Sequence, residues 1–78
     1  MASYFTHLIR KNLPRLLEEL QRPNIISRIR LETELERFGV LVFPKGILTE
    51  TMRKNGYEIH TGHKGNSDRA RSYIRKDT

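Results

Sequence analysis

Apolar positions in the first quarter of the chain recur at three- and four-residue intervals: Phe5, Leu8, Ile9, Leu13, Leu16, Leu17 and Leu20. That spacing lines one face of a helix and predicts a helical unit over residues 4–21. Pro14 falls inside it. A proline has no N–H to donate and its ring clashes with the carbonyl four residues back, a cost of about 3 kcal/mol in a helix interior. The cheaper solution is a kink or a fresh start, with Asn12 as N-cap and Pro14 in the first turn. Arg22-Pro23-Asn24 then ends the unit.

Residues 25–38, IISRIRLETELERF, predict a second helix, capped by Asn24 and closed by Gly39 just past its last turn. On a helical wheel Ile25, Ile26 and Ile29 lie on one side and Leu31, Leu35 and Phe38 on another. Either the helix is covered on two sides, or the Ile-rich start is extended and the helix begins near Leu31. Val40-Leu41-Val42-Phe43 is β-prone and is followed by Pro44-Lys45-Gly46. Ile47, Leu48, Thr51 and Met52 return to helical spacing, and Asn55-Gly56 is a helix stop. Tyr57 to His60 reads as a strand, Thr61 to Asp68 as a turn-rich loop, and Arg71 to Arg75 as a returning strand. A short C-terminal helix capped by Ser67 or Asp68 is the alternative for the last piece. The fold class is therefore α+β. One small domain is expected, with N-terminal helices over 1–38, then a possible recognition helix and a basic β-hairpin over 39–78.

Length and charge narrow the function. Seventy-eight residues bury only about 60% of the surface that the unfolded chain exposes. Cysteine is absent, which removes disulfides and thiolate metal sites together. No apolar run approaches the roughly 18 residues that span a bilayer, so no membrane partner is expected. The first residues lack the order of a signal peptide, and the expected location is cytoplasmic. Lys and Arg number 15 against 9 acids, a net charge of +6. Residues 1–39 carry seven bases and five acids, residues 40–78 eight and four, so the excess lies toward the C-terminal half. That balance points to nucleic acid as the partner.

The segment Glu34-Leu35-Glu36-Arg37-Phe38-Gly39-Val40 resembles the end of the first helix of a winged helix-turn-helix motif, with its Gly-Val turn. Gly56-Tyr57 falls where such proteins leave the recognition helix and enter the wing. Tyr57-Glu58-Ile59 and Tyr73-Ile74 are similar to the two wing strands. The resemblance covers residues 34–75. It departs from the family pattern where Leu41-Val42-Phe43 replaces the usual Ser or Thr cap, and where Pro44 and Gly46 shorten the would-be recognition helix. It implies a DNA-binding domain whose groove-facing residues are Lys45, Thr49, Arg53 and Lys54. Were 40–43 a strand instead, that assignment would fail.

Physical reasoning about the last third of the chain leads to the same partner. Phosphates need cations held at fixed spacing, and a two-stranded ribbon holds side chains that way. Lys64, Arg69, Arg71, Arg75 and Lys76 lie within thirteen residues. Gly62 and Gly65 permit close backbone approach, and Asn66 with the loop hydroxyls supplies short donors to phosphate oxygens. His60 and His63 add donors and partial charge to the same loop. Spaced H-x-x-H, they lack the third protein ligand that a catalytic zinc needs, so neither metal nor cofactor is expected.

The expected function is sequence-specific or architectural binding of duplex DNA, as a small non-enzymatic regulator or accessory factor. Its economy suits a phage or other mobile element. Homodimerisation is expected through the Phe5/Leu8/Ile9/Leu13/Leu16 stripe, which a monomer this small leaves open. Two other classes stay open: an inhibitor that docks its basic hairpin on a host protein, and a toxin-type ribonuclease using His60 or His63.

Overall fold

A computed structural model describes residues 3–60 and 72–77. Among these residues the elements run α1 (Tyr4–Glu19), β1 (Ile25–Ser27), α2 (Arg28–Glu36), α3 (Ile47–Lys54), β2 (Tyr57–His60) and β3 (Ser72–Arg75). The strands form one antiparallel sheet in the order β1-β3-β2. The fold is α+β, helices first, as expected.

Helix α1 opens on Ser3, whose Oγ accepts the Thr6 N–H at 3.0 Å. It then runs through Pro14 without the predicted fresh start. Pro14 faces solvent, so water can serve the carbonyl that its missing N–H leaves over. Asn12 is therefore not an N-cap. It is buried in mid-helix, and its side-chain amide donates to the Leu8 carbonyl at 2.9 Å. A wholly internal stripe outweighs the proline penalty: Ile9, Leu13, Leu16 and Leu17 have no exposed surface. That burial also corrects the expected dimer interface. Ile9, Leu13 and Leu16 are core of a single chain, packed with Leu31, Leu35, Leu48, Met52, Tyr57 and Tyr73, while Phe5 and Leu8 are half-buried.

The Ile-rich start of the second predicted helix is extended, and the helix begins at Arg28, not at Leu31. Its cap is Ser27, which accepts the Arg30 N–H at 3.0 Å, and not Asn24. The Asn24 carbonyl instead accepts from the Arg75 N–H at 2.8 Å, starting the ladder that pairs Ile25, Ile26 and Ser27 with Ile74, Tyr73 and Ser72. Gly39 follows α2 at φ 91°, the left-handed turn that brings Val40 back into the core. Val40-Leu41-Val42-Phe43 forms no strand.

The hairpin strands fall where expected, with Tyr57, Glu58, Ile59 and His60 opposite Arg75, Ile74, Tyr73 and Ser72. Alternation along the strands sends Tyr57, Tyr73 and Ile26 to the helices. Glu58, His60, Ser72, Ile74, Ile25 and Ser27 share the opposite face. The loop between β2 and β3 lies outside the described residues, and so does the rival reading that placed a helix from Ser67 or Asp68.

Candidate nucleic-acid interface

Helix α3 buries Ile47, Leu48, Thr51 and Met52 on one side, which leaves Glu50, Arg53 and Lys54 exposed. Gly46 precedes it at φ 81°, and Lys45 stands exposed just before. Packing of α1 on α3 brings a further cation to this end of the molecule: Arg10 lines a shallow groove with Thr6, Pro44, Lys45, Gly46, Ile47 and Glu50. The carboxylate of Glu50 lies 3.7 Å from the Arg10 guanidinium and 4.0 Å from Lys54 Nζ. All three side chains are about half exposed or more, where such pairs contribute only about 0–1 kcal/mol. Arg53 and Lys45 have no ion-pair partner among the described residues. Four cations thus surround one acid.

The charge on α2 is arranged in the opposite way. Arg28 pairs with Glu32 at 2.9 Å, Arg30 with Glu34 at 3.3 Å, and Arg37 with both Glu34 and Glu19. The hydrogen bond from Arg37 holds the Glu34 carboxyl below its ordinary pKa, with a second from Arg30 acting the same way against the opposing effect of desolvation. All three of these arginines are thus paired, whereas, among the described residues, Lys45 and Arg53 at α3 are not.

The residues expected to touch DNA separate into five groups. Lys45, Arg53 and Lys54 are gathered on or beside α3, as expected. Thr49 is on the same helix, but its hydroxyl is committed to the Tyr73 phenol at 2.9 Å, which ties α3 to the sheet. His60 stands exposed on the sheet face turned away from the helices, and Lys76 is exposed just after β3. His63, Lys64, Asn66, Arg69 and Arg71 lie outside the described residues.

Arg75 belongs to a separate cluster. Its side chain is only a quarter exposed, donating to the Arg22 carbonyl and to Asp77 Oδ1 at 2.7 Å. Arg22 in turn donates to the carbonyl of Asn55 at 2.9 Å, closing the C-terminal end of α3. Its guanidinium also stands 5.5 Å from the centre of the Tyr57 ring, and the Tyr57 hydroxyl donates to the Pro23 carbonyl. The cluster joins the α1–β1 link, the end of α3 and the hairpin, and so fixes the angle at which α3 meets the sheet. Gly56, at φ 92°, passes so close that an added Cβ would meet the Arg22 guanidinium at 3.1 Å.

Arg10 was not singled out from the sequence. Only its place on the wheel, beside the α1 stripe, hinted at it, and its neighbours Lys45 and Glu50 come from tertiary packing. Three or more His, Cys, Asp or Glu side chains placed to hold a metal do not occur among the described residues. Likewise, no helix there is long and apolar enough to cross a membrane. No protein-family model matches the chain, and no curated protein or solved structure is significantly similar to it.

One prediction concerns the Tyr57 cluster. Burial pushes the Tyr57 phenol above its ordinary value near 10, against the smaller opposing effects of Arg22 and Arg75. A folded-state value above the unfolded one gives stability that is complete below about pH 10 and is lost as pH rises beyond it. Tyr57→Phe lowers stability at neutral pH by about 1–3 kcal/mol, because the Pro23 carbonyl loses its donor. The variant also removes this part of the alkaline sensitivity. Thermal unfolding of both proteins between pH 8 and pH 11 checks it, since the gap must narrow as pH rises; a constant gap refutes the assignment.

Proposed function

We propose that the protein binds duplex DNA as a small winged-helix regulator or architectural factor, with α3 against the groove and the β2–β3 pair on flanking phosphates. One observation carries this reading. Around an exposed helix, Arg10, Lys45, Arg53 and Lys54 stand with the single carboxylate of Glu50, while the arginines on and beside α2 are all in ion pairs. The order of elements agrees with it. A helix ended by Gly39-Val40, a second helix ended by Gly56, and an antiparallel pair opened by Tyr57 follow one another as the winged-helix resemblance implies. Residues 40–43 form no strand, so the condition that would exclude a recognition helix is not met.

The roles differ by position. Lys45 and Arg10 flank the start of α3, where backbone N–H groups also favour an anion, and suit phosphate contact. Arg53 sits in the last turn, exposed and without a salt bridge among the described residues, and suits a base edge, where a guanidinium forms two parallel hydrogen bonds to guanine. The cations of the β2–β3 connection, Lys64, Arg69 and Arg71, add backbone contacts. Ile9, Leu13 and Leu16 of the α1 stripe are committed to their own core and are not available as a dimer interface.

A gel-shift against genomic fragments, with and without excess non-specific DNA, tests the reading. Arg53→Ala is expected to lower discrimination between preferred and random sites by about 1–3 kcal/mol, while Lys45→Ala weakens all sequences alike. If Arg53→Ala leaves site preference intact, α3 does not read bases.

A further inference from the structure

Helix α1 ends in a Schellman motif, in which the Gln21 N–H donates to the Glu18 carbonyl at 2.9 Å and the Arg22 N–H to the Leu17 carbonyl at 2.8 Å. The position just past the cap, which glycine ordinarily fills, is Gln21 at φ 64°, and Arg22 follows at φ 41°. No other non-glycine residue among the described ones has a positive φ. Two successive side chains in the left-handed region carry a steric cost that glycine avoids. The Gln21 side chain is exposed and makes no hydrogen bond or ion pair among the described residues, so it does nothing to offset that cost.

Arg22 supplies the return. The turn delivers its guanidinium across the C-terminal end of α3, where Nη2 donates to the Asn55 carbonyl at 2.9 Å and lies against Gly56. Among the described residues no carboxylate pairs with it. Its charge is set instead against the helix end where partial negative charge collects. Gly56 carries the connection onward: its N–H donates to the Arg53 carbonyl at 3.2 Å, and its carbonyl accepts the Lys76 N–H at 2.8 Å. One guanidinium therefore holds the turn between α3 and β2, two residues from Arg53. Backbone strain without a local return, kept beside a candidate contact, points to a functional constraint.

We infer that Arg22 is a positioning residue for the DNA contact: without touching DNA, it clamps the last turn of α3 to the sheet and so fixes the direction in which Arg53 projects. This role rests on the reading of α3 as the DNA-facing element. A guanidinium that forms two parallel hydrogen bonds to guanine must arrive in the plane of the base, and such contacts tolerate displacements of only about 0.5 Å. Phosphate contact by Arg10 and Lys45, at the opposite end of the helix, makes no comparable demand on alignment. Arg22 therefore acts on the choice between sites and leaves the salt dependence of binding alone.

The test compares the parent, Arg22→Met, Gln21→Gly and the two changes combined, using the preferred genomic fragment from the gel-shift and a random duplex of equal length. Arg22→Met keeps the aliphatic stem and removes the guanidinium. It is expected to lower the preference for the genomic fragment about tenfold, with the salt slope unchanged. Gln21→Gly removes left-handed strain, raises the melting temperature and keeps the preference. Combined, the two changes bring the melting temperature back toward the parent's and leave the preference low, which separates positioning from lost stability. Arg22→Met adds no further loss to Arg53→Ala, as expected for residues acting through one contact. Amide hydrogen exchange supplies a readout free of DNA: Asn55 and Gly56 exchange about tenfold faster in the combined variant, Leu16 and Leu17 at the parent's rate. Preference restored in the combined variant, or unchanged exchange at Asn55 and Gly56, overturns the inference. So does a salt slope smaller by about one unit in Arg22→Met, which would make Arg22 itself a phosphate contact. A parent without site preference refutes the DNA reading and this role with it, and faster exchange would then show the clamp alone.

Discussion

Leu16→Asp combined with Leu17→Asp unfolds the protein at room temperature. Both side chains have no exposed surface. They lie on adjacent positions of α1 and face the same cluster as Leu31, Leu48 and Met52. Removing a buried leucine forfeits about 1.5–3 kcal/mol in transfer alone, and a carboxylate placed there without a partner adds a desolvation cost of several kcal/mol. Against this stands a total stability of only about 4–12 kcal/mol for a chain of this length. Far-ultraviolet circular dichroism checks the outcome, which is loss of both helix and sheet signals. A folded double variant would mean that α1 packs on something other than its own chain. Phe5→Asp is the contrasting case. Phe5 is half-buried beside Tyr4 at the start of α1, so its variant stays folded with a lower melting temperature.

The contrast shows what was legible in the sequence and why. Elements specified locally were found at or near their observed positions: α3 by its spacing and Asn55-Gly56, and both hairpin strands by alternation. Helix α1 was legible as a stripe, but the weight of its burial against the Pro14 penalty was not, because burial is a property of the whole chain. Strand β1 was ambiguous for a related reason. Ile25-Ile26-Ser27 is an extended segment because β3 pairs with it from nearly fifty residues away, and no local signal carries that contact. Val40-Leu41-Val42-Phe43 is the converse: β-propensity describes fitness for a pleated surface, and no free neighbouring strand reaches it.

The candidate site was legible in composition and only partly in geometry. Arg53 and Lys54 follow from the α3 wheel, and Lys45 lies just before the helix. Arg75 reads as one more cation in a basic run, yet it lies opposite Tyr57 in the ladder and is held by Arg22 and Asp77. Its Arg22 partner is contributed by a link 53 residues earlier. Arg75→Ala is accordingly expected to act on stability more than Lys76→Ala does, whatever either does to DNA affinity. Melting temperatures of the two variants make the comparison.

DNA affinity should fall steeply with salt, and reversing two charges beside α3 should flatten that dependence. Each phosphate neutralised by a cation releases counterions from the duplex, giving a log–log slope of about −0.9 per contact. If Arg10, Lys45, Arg53 and Lys54 make three or four such contacts and the β2–β3 connection adds more, the slope is about −3 to −5. Raising salt from 50 to 200 mM then weakens binding roughly 60- to 1,000-fold. Arg10→Glu combined with Lys45→Glu removes two contacts and opposes the remaining ones, so the slope loses about two units and low-salt affinity drops by about 100-fold or more. Both residues are exposed, and the pair can be exchanged with little cost to folding, which an unchanged melting temperature would verify. Glu50→Gln acts in the other direction: it removes the one carboxylate in the cluster, frees Arg10 and Lys54 from it, and raises affinity for all sequences. A basic surface serving a protein partner gives a different result. Binding to duplex DNA would then be weak, and the α3 cluster would not set its salt slope. Affinity that is flat in salt, or a double reversal that leaves the slope unchanged, rules out α3 as the DNA-facing element.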